Sequence, residues 1–116
     1  MLKLEYSQTV RKKLKLLKAE LTQSYDEDKA TAIIVKIVKS IRRLQIFPQS
    51  GAAVSSQYGV ECNYRYIFAE HNYFFYRVRD KDTVLILEMF NEKEDFMRNL
   101  FGIITTSQET MDYWGE

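Results

Sequence analysis

YRYIFAEHNYFFYRVRDKDTVLILEMF, residues 64–90, is the stretch whose reading decides the fold. Within it Tyr64 to Ala69, Tyr73 to Asp80 and Thr83 to Phe90 are rich in aromatic and β-branched residues, which suit the pleated, half-buried surface of a strand. Short polar joints, Glu70-His71-Asn72 and Lys81-Asp82, separate these runs, so the stretch reads as a three-stranded antiparallel meander. Side chains alternate along a strand, so Tyr73, Phe75, Arg77 and Arg79 share one face, and Phe74, Tyr76, Val78 and Asp80 share the other. The second set is the better core. The first sets two guanidinium groups beside two rings, a pairing that holds phosphate, stacks on a base or binds an acidic peptide. Arg65, with Ile67 and Ala69 on its side, is expected to reach the same open surface.

Upstream, Leu2, Leu4 and Tyr6 alternate with Lys3 and Glu5 as in a half-buried strand, and Ser7 is placed to cap a helix. Val10, Leu14, Leu17 and Leu21 form one apolar stripe, with Arg11, Lys12, Lys15 and Lys18 largely off it, ending near Tyr25. Asp26-Glu27-Asp28 suits the positive end of a second helix, whose stripe is Ile34, Ile37, Ile41 and Leu44, supplemented by Ile33 and Val38. Phe47-Pro48-Gln49-Ser50-Gly51 stops it, giving a helical hairpin. Residues 51–63 read as a long loop with strand character near Val54.

Downstream, Glu92, Glu94 and Asp95 precede Phe96, Met97, Leu100 and Phe101, a short last helix closed by Gly102. The expected architecture is α+β. An N-terminal strand and the antiparallel meander complete one mainly antiparallel sheet, the two-helix hairpin covers one face of it, and the other face is left for a partner. Residues 1–102 form a single domain in this reading, and residues 103–116 a C-terminal tail.

Composition supports one domain: 116 residues, 46% hydrophobic and 14% aromatic, are enough for one core. Net charge is +1, but unevenly placed: residues 1–43 carry 11 Lys/Arg against 5 Asp/Glu, and the remainder 6 against 11. The basic half suits nucleic acid, an acidic partner or two solvated helices. A lone Cys62 excludes an internal disulfide and a cysteine zinc cluster, and a single His is too few for a typical catalytic zinc site. No phosphate-cradling glycine loop or nucleophile elbow is present, so no cofactor or metal is expected. The first residues alternate in hydrophobicity and soon meet charge, unlike a signal peptide, and no window approaches the roughly 20 apolar residues of a membrane span. The expected location is the cytoplasm, with no membrane partner.

The element order, together with Phe47-Pro48-x-x-Gly51, Tyr64-Arg65-Tyr66-Ile67, His71-Asn72-Tyr73-Phe74-Phe75-Tyr76-Arg77-Val78 and Glu94-Asp95-Phe96, resembles the RelE/ParE toxin superfamily up to Gly102. The resemblance implies a toxin that a cognate antitoxin neutralises by wrapping it, and whose target is mRNA on the ribosome or DNA gyrase. In the nuclease branch an arginine stands three positions before the strand tyrosine; counting back from Tyr76, that position here is Tyr73, and a phenol does not replace a permanent bidentate cation. That branch also places Arg, His or Tyr past the last strand, where this chain has Asn91, Glu92, Lys93, Glu94 and Asp95. The triplet Tyr76, Arg77, Val78 looks more like the ParE-like branch, although that branch often carries His where Asn91 stands. The resemblance therefore favours a toxin that inhibits DNA gyrase by binding, with a ribosome-dependent mRNA endonuclease (an mRNA interferase) as the alternative.

RNA cleavage needs a base, an acid and cations to hold the phosphorane. The candidates are Arg65, His71, Arg77, Arg79 and Lys93, with His71 the side chain that titrates near neutrality unaided. The competing structural roles are ion pairs of Arg77 and Arg79 with Glu88 or another strand carboxylate, and a solvated turn for His71.

Overall fold

The computed structural model describes residues 1–59 and 61–94. Strand β1 (Lys3–Tyr6) leads into helix α1 (Gln8–Ser24), helix α2 (Glu27–Arg42) and a 3-10 turn over Arg43–Gln45. A two-residue strand β2 (Ala52–Ala53) and a one-turn helix α3 (Val54–Tyr58) then precede β3 (Arg65–Ala69), β4 (Asn72–Arg79) and β5 (Thr83–Asn91). Among the described residues no helix is long and apolar enough to cross a membrane. The short helix expected after Asn91 and the tail 103–116 lie outside the described residues.

Both helix starts follow from their caps. The Ser7 hydroxyl accepts the Val10 N–H at 3.1 Å and donates to the Leu87 carbonyl at 2.8 Å, which ties the start of α1 to β5. Asp26 accepts the Lys29 N–H at 2.7 Å, and Glu27 and Asp28 complement the helix dipole in the first turn of α2. The helices bury one stripe against the sheet: Val10, Ile37, Ile41 and Leu44 meet Phe74, Tyr76, Val84, Ile86 and Met89.

The sheet order is β1-β5-β4-β3-β2, and it is mainly antiparallel as expected, with one parallel pair that makes it mixed. β1 lies parallel to β5, with Leu4 beside Val84 and Tyr6 beside Ile86, because the helical hairpin returns the chain to the far edge of the sheet. β3, β4 and β5 are the expected meander, turned at Glu70-His71 and at Asp80-Lys81, all four with positive φ. One extra residue, Leu87, interrupts the β4–β5 ladder: Phe75 pairs with Glu88 while Tyr76 pairs with Ile86.

The face away from the helices is not wholly open. Within the expected loop, β2 pairs with β3, and α3 drops Val54 onto Phe75 and Phe90 to make a second small core flanked by Cys62, Tyr64, Tyr66 and Tyr73. Phe75 is therefore buried, not displayed beside the arginines. β1 stops at Tyr6, so the later part of β5 has no strand on that side. Lys13 of α1 covers it, donating to Met89 O at 3.0 Å and Glu88 Oε1 at 2.7 Å, with its ammonium 4.7 Å from the Phe90 ring centre.

Candidate functional site

The expected set of cations divides between the two faces. Ile67 and Ala69 pack into the helix-side core, and Arg65 pairs with Tyr76 of that core, so Arg65 points away from the Arg77 and Arg79 face. The two-residue turn at Glu70-His71 sets this register, and the apolar character of Ile67 and Ala69 was the signal for it. The Arg65 guanidinium donates to Gly51 O at 2.8 Å and to Gln49 O at 3.4 Å, holding down the turn after the hairpin.

Arg79 donates to Glu5 of β1 at 2.7 Å. Glu88 is not its partner, being held by Lys13. Of the three arginines, Arg77 alone has a side chain with no hydrogen bond or ion pair among the described residues, while its backbone pairs with Leu85 in the ladder. His71 sits at the exposed tip of the β3–β4 hairpin with Nδ1 2.8 Å from Glu92 Oε1. The exposed Lys93 lies in the turn after β5, where its backbone N–H donates to Asn91 Oδ1 at 2.9 Å, so Asn91 shapes the exit of the strand. Tyr73, at the nuclease arginine position, joins an aromatic ladder with ring centres 4.9 Å from Phe68 and 5.8 Å from Tyr66. Among the described residues no group of three metal-ligating side chains occurs.

The motif tyrosine has a structural task. Tyr76 is fully buried, accepts the Gly51 N–H at 3.0 Å and donates to Pro48 O at 2.7 Å. Burial pushes its phenol above the ordinary 10.0, opposed by the Gly51 hydrogen bond and the nearby Arg65 charge. Gly51 is required beside it, because a methyl there would lie 2.7 Å from the Tyr76 ring edge and 2.9 Å from the Tyr66 carbonyl. The Phe-Pro-x-x-Gly and Tyr-Arg-Val motifs are thus two halves of one latch.

Two of the surface hollows are lined by more than one cation. The first is a groove of about 420 Å³ between the helical hairpin and the free edge of β1, floored by Leu4, Tyr6, Leu14 and Val38 and rimmed by Arg11, Lys15 and Arg42. Burial raises the Tyr6 phenol, and the Arg42 charge opposes this. Arg11 and Lys15 lie off the apolar stripe of α1; their four-residue spacing, one turn apart above an edge strand, is the signal that marks them as a rim. The second surface is a cleft of about 290 Å³ beside β4, lined by both Arg65 and Arg77.

A helical hairpin laid on a mixed five-stranded sheet, with an apolar surface groove rimmed in cations, defines a small α+β domain. Residues 4–96 match the family described as the ParE toxin of the type II toxin-antitoxin system, parDE, and the chain belongs to that family. A solved structure titled chromosomal ParDE TA system from P. aeruginosa shares the fold with a TM-score of 0.65, at 19% identity, covering 78% of this chain and 96% of that one. No curated protein matches the chain. As a RelE/ParE-superfamily toxin of a type II system, the chain has an antitoxin as its partner.

Proposed function

We propose that this toxin acts in the cytoplasm by binding, with DNA gyrase as its target, and that its cognate antitoxin silences it through an acidic, amphipathic segment laid in the groove between the hairpin and β1. The observation that carries the reading is the scatter of Arg65, His71, Arg79 and Lys93. Arg65 and Arg77 border one cleft, but Arg79 is tied to Glu5, His71 is at a hairpin tip and Lys93 is in an exit turn, so the cations and an acid–base side chain do not converge on one reacting phosphate. General acid–base catalysis needs such groups within hydrogen-bond reach of the same substrate atoms. Tyr76, the remaining motif phenol, is inside the core.

The groove supports the antitoxin part of the reading through its apolar floor and its three cations. A segment that folds on binding would bury its apolar face there and set carboxylates on the rim. Purified toxin added to gyrase is expected to block supercoiling, while primer extension on cellular mRNA shows no new cuts. Translation-dependent cuts with supercoiling untouched would replace this reading with mRNA cleavage.

A further inference from the structure

β4 is longer than the strand beside it. β3 begins at Arg65, opposite Tyr76, so Arg77, Val78 and Arg79 have no β3 residue next to them, and their edge of the sheet is unpaired. Two hollows meet at this edge, both bordered by Pro48, Gln49 and Val78. The cleft on one side has two guanidinium groups, Arg65 and Arg77, and no carboxylate among its described lining residues. The larger hollow on the other side, about 580 Å³, is bordered by Met1, Leu2, Ile46 and Val78, with Gln45 and Lys81 at its polar side.

A strand laid along an edge sends alternate side chains to opposite faces. Such a strand at Arg77–Arg79 would direct one set of side chains to the arginine cleft and the other to the apolar hollow. The Arg77 side chain is without a partner among the described residues, and Arg65 is already oriented by the Gly51 carbonyl at 2.8 Å. A preoriented guanidinium beside a free one suits a single carboxylate. A nucleic-acid strand needs a longer run of cations, whereas the residues after position 43 carry 6 Lys/Arg against 11 Asp/Glu.

We propose that the unpaired edge of β4 at Arg77–Arg79 is a docking site for an extended polypeptide segment of alternating acidic and apolar residues, its carboxylate held in the cleft by Arg65 and Arg77. The site lies apart from the hairpin groove and does not depend on gyrase being the target.

The test uses the full chain labelled with ¹⁵N and an acetylated, amidated peptide, Val-Glu-Val-Glu-Val. The expected result is saturable shifts of the Arg65 and Arg77 guanidinium signals and of the Val78 amide. Arg77→Gln should weaken binding by about tenfold. Lys36→Gln, removing an exposed charge on α2 away from the β4 edge, should change affinity by no more than about twofold. The peptide Val-Gln-Val-Gln-Val should leave the arginine signals unmoved. Absence of saturable shifts overturns the proposal, as does equal weakening by Arg77→Gln and Lys36→Gln. Saturation of the same signals by a single-stranded oligothymidylate, with the peptide inert, assigns the cleft to nucleic acid instead.

Discussion

At the scale of single residues, the Tyr76–Gly51 latch has the largest consequences. Tyr76→Phe removes the acceptor of the Gly51 N–H and the donor to Pro48 O, leaving the buried Gly51 amide unsatisfied, at a cost of about 1–3 kcal/mol. Gly51→Ala forces a methyl against a fully buried ring and should cost a similar 1–3 kcal/mol or so. Urea denaturation of each variant against the parent measures both. The latch also has a pH signature. The Tyr76 phenol is raised above 10.0 in the folded chain, so above that pH the unfolded state has released a proton that the folded state retains. Its contribution is complete below pH 10 and is lost as pH rises through the raised value. Stability should therefore fall with alkaline pH beyond about 10, and less steeply in Tyr76→Phe, as followed by thermal melts. Variants at Gly51 or Tyr76 that abolish toxicity would be folding defects, recognisable by lost soluble yield.

At the scale of elements, both meander turns place non-glycine residues at positive φ: Glu70 and His71 in one, Asp80 and Lys81 in the other. The first is a two-residue turn. The second is a three-residue connection in which Asp80 and Lys81 are the central residues of a turn closed by the Asp82 N–H on the Arg79 carbonyl at 3.2 Å, and such central positions favour Asn-Gly or Asp-Gly. Lys81→Gly converts the second into Asp-Gly and should stabilise the chain by roughly 0.5–1 kcal/mol, read as a higher melting temperature. Strand and helix order was legible in the sequence because each element carries its own period and cap, as Ser7, Asp26 and the alternation of Phe74 with Tyr76 illustrate. What was not legible depends on neighbours distant in sequence. The face of Arg65 follows from pairing with Tyr76, the extra residue at Leu87 from the β4–β5 ladder, and the parallel placement of β1 from the whole topology. α3 was missed because one turn of Ala- and Ser-rich chain has no period to detect; the isolated apolar Val54 was its sole mark. Of the candidate site, Arg77 stayed accessible while Arg65 and Arg79 were taken by partners.

At the scale of the whole molecule, the basic half of the chain is gathered partly into the rim of the hairpin groove. Reversing Lys15 and Arg42 together, Lys15→Glu with Arg42→Glu, should weaken the antitoxin complex by about tenfold or more, and the parent complex should loosen as salt rises. Calorimetric titration of the cognate antitoxin at two ionic strengths checks both, with unchanged affinity refuting the groove as its seat. The parallel pairing of β1 with β5 has a further consequence for synthesis. β1 waits for β5, since Lys3 is matched to Thr83 and Tyr6 to Ile86. A ribosome-bound nascent chain can raise the helical hairpin early, yet the edge strand has no neighbour until β5 has cleared the exit tunnel. The poison is thus assembled only once β5 has left the ribosome.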